Sequence, residues 1–123
     1  RRIPSIIRAA QQGLPIEVPK CDGRQFIGLK DLCKVYSALV QSELNRETLL
    51  VVADNFTTWQ SICREAIELA DSSSEIRLTD DDWVCPKFDT SKLHNLLGFQ
   101  FDSSQSMTEL IRHYLNLDSH APL

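Results

Sequence analysis

Two short segments of this 123-residue chain carry side chains that could bind a ligand. Arg24 and Gln25 follow an Asp-Gly dipeptide at 22–23, which is typical of a tight turn that presents the next side chains to solvent. A guanidinium and an amide at that place could bind hydroxyl or phosphate groups of a substrate, although a solvated turn arginine is the commoner case. Trp83, beside the acidic run at 80–82, could form part of a substrate wall or pack on the last helix.

The other reactive side chains do not indicate a metal site. His94 and His113 have no carboxylate or cysteine at ligand spacing, and the acidic run at 80–82 lacks the alternating oxygen ligands and the glycine of a calcium loop. The four cysteines are widely spaced and form no C-x-x-C pair, so we expect reduced thiols in a cytoplasmic protein. They are Cys21, Cys33, Cys63 and Cys85.

The composition favours one compact domain and excludes two classes of partner. The chain is 42% hydrophobic, which at this length is enough to form a core. Its 17 acidic and 13 basic residues give a net charge of -4, so we expect no broad basic surface for nucleic acid. Every apolar stretch is far shorter than a membrane span. We therefore expect a soluble domain that binds neither nucleic acid nor a membrane.

The hydrophobic periodicity predicts five helices and four strands that would position these side chains. The predicted helices span about 4–13, 31–40, 57–70, 89–97 and 106–117, and the predicted strands span 15–19, 24–29, 48–53 and 75–79.

The predicted strands suggest two supersecondary units. Strands 15–19 and 24–29 flank the turn at 22–23 and are expected to form a β-hairpin. The continuous apolar run at 48–53 is expected to be the central strand, parallel to 75–79 through a right-handed crossover, with Ile76 and Leu78 inward. The predicted fold is therefore a small mixed α/β domain with a β-hairpin, a right-handed β-α-β unit and about five helices.

Polar residues and glycines predict where the helices begin and end. Asp31 and Asp89 are expected to be N-caps, and capping boxes of the form Thr-x-x-Gln at 57–60 and Ser-x-x-Glu at 106–109 precede two longer helices. Gly98 is expected to end the helix that Asp89 begins.

Two motifs occur in an order that is typical of one enzyme family. The first is P-I-x-V at 15–18, followed by D-G-R-Q-F-I-x-L-x-D-L at 22–32. The second is D-T-S-K at 89–92, followed by L-G-F at 97–99 and a last helix. The chain thus resembles, over nearly its whole length, the carboxy-terminal part of extended short-chain dehydrogenases/reductases of the NAD-dependent epimerase/dehydratase family.

The resemblance implies that residues 1–117 are the substrate-binding domain of a larger enzyme, with a frayed tail at 118–123. The implied substrate is a sugar-like compound, such as a nucleotide sugar, or another hydroxyl or carbonyl compound. The implied partner is an amino-terminal Rossmann half that holds NAD or NADP, and two such chains could form a homodimer. Family members use a G-x-x-G-x-x-G turn and a Tyr-x-x-x-Lys pair, and this chain contains neither. We therefore expect no catalytic, cofactor-binding or metal-binding residue in it.

A stand-alone α/β protein-interaction module without enzymatic activity is the alternative. In that case the motifs arise from ordinary helix punctuation, and the surface should be polar on all sides. A domain that normally packs on a cofactor-binding half should instead expose an apolar face. The surface of the folded chain therefore discriminates between the two hypotheses.

Overall fold

A computed structural model describes residues 2–80 and 83–119 and contains five helices and four short strands in that part of the chain. The helices are α1 (Arg2–Gln11), α2 (Leu29–Gln41), α3 (Trp59–Leu69), α4 (Ser91–Leu97) and α5 (Ser103–Ser119). The strands are β1 (Ile16–Pro19), β2 (Gly23–Arg24), β3 (Thr57–Thr58) and β4 (Ile76–Thr79). The predicted fold class, a small mixed α/β domain, is confirmed.

The strands form one parallel pair and one antiparallel pair. β1 is parallel to β4, with Ile16 opposite Ile76 and Val18 opposite Leu78. β2 is antiparallel to β3. Both kinds of pairing were predicted, but different segments form them. The expectation that Leu78 points inward was wrong, since its side chain is exposed, whereas Ile76 packs against the core.

The predicted pairing of 15–19 with 24–29 was wrong because hydrogen bonds direct the two segments elsewhere. The N–H groups of Ile16 and Lys20 donate to Glu75 and Thr79, at N···O distances of 2.8 and 3.0 Å, and so attach the first segment to β4. The carbonyl of Asp22 accepts from the backbone N–H of residue 59 at 3.0 Å, which directs the second segment to β3.

The run at 48–53, predicted to be the central strand, has no regular strand pairing, and β4 pairs with β1 in its place. Its alternate residues Leu49, Val51 and Ala53 nevertheless pack into one apolar cluster, as in a strand with one covered face. The physical reason for the error is that an apolar run specifies burial, whereas a strand also needs a partner for its backbone groups.

Two apolar clusters hold the elements together. The first lies between α1, β1, α3 and α5, and its largest fully buried side chains include Ile62, Met107 and Ile111. The second consists of Val35, Ala53, Leu93 and Phe101.

The cap positions of α2 and α4 differ from those predicted. The N-cap residue of α2 is Gly28, and Asp31 lies in the first turn, where it forms an ion pair of 3.4 Å with Lys34. Asp89 precedes the N-cap residue of α4, but its carboxylate accepts from the backbone N–H of Ser91 at 2.9 Å and so performs the expected capping role.

Both predicted capping boxes were displaced. Thr58, one residue later than expected, caps α3 by accepting from the backbone N–H of Ser61 at 3.1 Å. Asp102 precedes α5, four residues earlier than the expected cap at Ser106, and its carboxylate accepts from the N–H of Ser104 at 3.0 Å. The predicted end of α4 is confirmed, because Gly98 adopts the left-handed conformation with φ of 75°.

Some expectations lie outside the described residues, namely those for positions 81–82 of the acidic run and for positions 120–123 of the tail. Among the helices that are described, none combines the length and the apolar character of a membrane-spanning segment.

Candidate functional site

A buried carboxylate organises the candidate site. Asp22 directly precedes β2 and is only 4% exposed. One of its carboxylate oxygens accepts from the backbone N–H of Cys85 at 2.8 Å, and the other accepts from the indole Nε1–H of Trp59 at 3.2 Å. Asp22 thereby joins β2, the start of α3 and the loop that follows β4.

The guanidinium of Arg24 lies against this carboxylate. Its Nη1 atom is 2.8 and 2.9 Å from the two oxygens of Asp22 and donates to the carbonyl of Gly23 at 2.6 Å. Its central carbon lies 5.7 Å from the ring centroid of Trp59 and 5.3 Å from that of Trp83. The side chain is 37% exposed, so a guanidinium that is fixed in position still reaches solvent.

The hydrogen-bond donors around Asp22 determine the direction in which its pKa is shifted. Burial alone would raise the pKa of this carboxyl. The backbone N–H of Cys85, the Arg24 guanidinium and the backbone of Gly23 act in the opposite direction, and together they hold the pKa of Asp22 below its ordinary value. The carboxylate is therefore ionised at neutral pH and forms an ion pair with Arg24.

Gln25 lies beneath the surface rather than at it. Its Nε2 atom donates to the carbonyls of Ala53 and Phe88, at 2.9 and 3.0 Å, and its Oε1 atom accepts from the N–H of Phe88 at 2.6 Å. These three bonds fix the backbone at residue 88 and so anchor the loop that carries Trp83. Of the predicted ligand-binding residues, the structure brings Arg24 and Trp83 together and places Gln25 as their support.

Sequence reasoning missed Asp22, Trp59 and Arg2 as parts of the site. Asp22 was interpreted only as a turn residue, and Trp59 only as a core residue of α3. The guanidinium of Arg2 also lies over the Trp59 ring, 4.7 Å from its centroid. The spacing of Asp22 and Arg24 could have indicated their ion pair, because residues two positions apart in an extended segment point to the same face.

The remaining candidates are dispersed. His94 lies on α4 and His113 on α5. Within the described residues, no group of three histidine, cysteine, aspartate or glutamate side chains could hold a metal ion. All four cysteines belong to the described residues and are free thiols, and Cys63 is buried, which raises its pKa to about 11.

The glycines, all of which lie within the described residues, do not form a glycine-rich turn of the kind that binds a dinucleotide. Gly13 and Gly98 follow helix ends, and Gly23 is packed against the backbone of β3. Only Gly28 precedes a helix, and the chain has no further glycine near it.

The geometry of the exposed group fits recognition rather than catalysis. A guanidinium with free N–H groups can bind the oxygens of a phosphate or of a sugar, because these oxygens match its donor geometry. Trp83 is 60% exposed and can stack on a flat apolar face of a ligand. Neither group can remove a proton or a hydride.

Known proteins resemble this chain in structure, whereas the sequence comparisons found no match. No family model matches the sequence, and no curated protein matches it. Three solved structures superpose on 94–98% of the chain. They are dTDP-glucose 4,6-dehydratase from Bacillus anthracis in complex with NAD (TM-score 0.74, 16% identity), RMD from Pseudomonas aeruginosa with NADPH (0.69, 17%) and the Bordetella bronchiseptica enzyme WbmF with NAD+ and UDP (0.77, 18%).

This chain has the fold of one part of these proteins. The match covers 40%, 41% and 37% of the three solved chains, so the present chain spans about two fifths of their length. The fold likeness agrees with the enzyme family that the two sequence motifs resemble. At these identities it shows the architecture and leaves the activity to be argued from the site.

Proposed function

We propose that this chain is the carboxy-terminal, substrate-recognition domain of a cytoplasmic, NAD(P)-dependent epimerase, dehydratase or reductase. Residues 1–117 form the domain. The substrate is a sugar-like compound, such as a nucleotide sugar, or another compound with a reactive hydroxyl or carbonyl group. A Rossmann half of the same polypeptide holds the dinucleotide and performs the chemistry, so this chain alone has no catalytic residue.

The observation that carries the proposal is the fixed, exposed guanidinium of Arg24 beside the exposed ring of Trp83. Because Asp22 already holds Arg24 in position, binding a ligand would cost little side-chain entropy. Arg24 would bind an oxygen-rich group of the substrate, and Trp83 would cover an adjacent ring. Gln25 would contribute by positioning the loop of Trp83. The domain's contribution to the reaction is orientation of the substrate and exclusion of water.

The surface of the chain supports this proposal over the interaction module. A module that functions alone should have a polar surface on all sides, whereas α2 exposes several large apolar side chains on one face. Leu29, Tyr36 and Val40 are 77%, 62% and 86% exposed. Such a face is typical of a domain that packs against a neighbour.

The test uses the full-length product of the natural reading frame and measures nucleotide-sugar binding by calorimetry, with UDP-glucose and dTDP-glucose as probes. Replacing Arg24 by glutamine should weaken binding of the accepted probe roughly 10- to 100-fold, because a charged hydrogen bond is lost. The affinity for NAD or NADP should stay within about twofold, because the dinucleotide is held elsewhere.

Arg77 offers a matched control, since it is an exposed arginine of β4 whose guanidinium pairs with Glu75. Replacing Arg77 by glutamine should leave both affinities unchanged. If the Arg24→Gln protein is folded, by circular dichroism, and still binds the probe like the parent, Arg24 is not a substrate ligand. If the full-length product binds no dinucleotide, the enzyme assignment itself is wrong.

A further inference from the structure

Two cysteines that are far apart in the sequence meet at one buried carboxylate. Cys21 directly precedes Asp22 in the short connection between β1 and β2. The backbone N–H of Cys85 donates to the carboxylate of Asp22, with an N···O distance of 2.8 Å. The fold therefore brings the segments that carry these two thiols into direct contact.

A second hydrogen bond joins the same two segments. The N–H of Lys20, one residue before Cys21, donates to the carbonyl of Thr79 at 3.0 Å. Cys21 thus lies between two attachments to the segment that leads from β4 to Cys85. Neighbouring Cα atoms are about 3.8 Å apart, and a disulfide joins Cα atoms about 4.4–6.8 Å apart. The two sulfurs can therefore meet by adjustment of this connection, without rearrangement of the core.

Both thiols can be reached by a small oxidant. Cys21 is exposed and Cys85 is partly exposed, whereas Cys63 is buried in the first apolar cluster. The Sγ atom of Cys85 donates to the carbonyl of the next residue, Pro86, at 3.6 Å. A thiol is a weak donor, so this local bond does little to hold the sulfur in place.

We propose that Cys21 and Cys85 are a redox-sensitive pair, and that their disulfide ties the loop of Trp83 to the segment that begins β2. Arg24 lies on that segment, so the bond would join the two parts of the chain that carry the exposed groups of the candidate site. In reducing compartments, disulfides that form are usually transient and redox-sensing. The crosslink does not depend on the proposed function, because it concerns the position of the loop whatever the site binds.

Hydrogen peroxide can supply the oxidation. The more exposed thiol, Cys21, attacks one peroxide oxygen, which breaks the O–O bond, releases water and leaves a sulfenic acid on Cys21. The thiol of Cys85 then attacks this sulfur and displaces a second water. The two thiols together lose two electrons and two protons, and the peroxide is reduced to two waters.

Peptide mapping of the full-length product tests the pairing. Trypsin cleaves after lysine and arginine, so the two cysteines fall in separate peptides, at 21–24 and 78–87. Treatment with one equivalent of peroxide, followed by alkylation, should link these peptides in about half of the molecules or more, and dithiothreitol should separate them. Cys85→Ser should abolish the link, and Cys33→Ser, at an exposed cysteine of α2, should leave its yield unchanged.

Two further measurements examine the role of the fold and of the loop. In urea that unfolds the protein, linking should be at least about 10-fold slower, because the folded chain no longer holds the two segments together. In the folded, oxidised protein, the amides at 83–88 should exchange about 10-fold more slowly than in the reduced protein. Cys21→Ser treated with peroxide should show no such slowing.

Each contrary result identifies a different error. Unlinked peptides with added oxygen on Cys21, or linking that is as fast in urea, would show that the fold does not pair the thiols. The peptide at 21–24 linked to a second copy of itself would show that Cys21 pairs between molecules instead. A link that leaves the exchange at 83–88 unchanged would show that the disulfide does not tie down the loop. Any of these results would overturn the proposal.

Discussion

Replacing Asp22 by alanine should destabilise the fold by about 3 kcal/mol, because one buried donor and one part-buried donor lose their acceptor. The indole N–H of Trp59 and the backbone N–H of Cys85 both donate to this carboxylate, and an unsatisfied buried donor costs roughly 1–3 kcal/mol. Arg24 adds less than about 1 kcal/mol, because its partly exposed guanidinium can be solvated instead. Replacement by asparagine keeps one acceptor oxygen and should cost about half as much.

Urea unfolding, followed by tryptophan fluorescence and by circular dichroism, measures this effect. Trp59 and Trp83 are the only tryptophans of the chain, and both contact the Arg24 guanidinium that Asp22 holds. Asp31→Ala is the control, since Asp31 has only a surface ion pair and should cost under about 1 kcal/mol. If Asp22→Ala and Asp31→Ala cost the same, the carboxylate of Asp22 does not organise the site.

The pH dependence of stability provides a second measurement on the same residue. The folded pKa of Asp22 lies below the ordinary value of 3.8, so the stability it contributes is present above that value and is lost as the pH falls through the folded pKa. The parent protein should therefore lose stability in acid faster than Asp22→Asn does. Asp89 and Asp102, whose pKa values are also lowered, act in the same direction, so the variant should reduce the acid dependence without abolishing it.

Three further predictions concern packing, capping and thiol chemistry. A Cβ at Gly23 would lie 2.1 Å from a backbone oxygen of β3, so Gly23→Ala should lower the free energy of unfolding by more than about 3 kcal/mol in thermal unfolding. Gly13→Ala is the control and should lower it by about 1 kcal/mol, because no atom crowds that position. Asp102→Ala should lower the free energy of unfolding in urea by about 1 kcal/mol, because Asp102 caps α5. Glu109→Ala should lower it by less than about 0.5 kcal/mol. A larger effect of Glu109→Ala would support the capping box predicted at 106–109 instead. Cys63, with its raised pKa, should react with a thiol reagent only on unfolding, whereas the two exposed cysteines should react at once; rapid reaction of Cys63 in the folded protein would contradict its burial.

The sequence by itself was sufficient for the helices and for the class of fold. All five helices occur where the apolar periodicity indicated them, because the buried face of a helix consists of residues three and four positions apart in the sequence. The end of α4 at Gly98 could also be predicted, because the left-handed backbone conformation that ends a helix favours glycine whatever the distant contacts are. The two motifs that resemble the enzyme family were also sufficient to predict the fold that the structural comparison supports.

The tertiary structure alone decided which strands pair and which polar residues are buried. β1 and β4 are 60 residues apart, as the pairing of Ile16 with Ile76 shows, and they meet beside the core cluster that α1 and α3 also form. The turn aspartate Asp22 became the centre of the candidate site only because distant donors at residues 59 and 85 reach it. Strand partners and buried hydrogen-bond partners are contacts between distant segments, and local sequence patterns do not encode them.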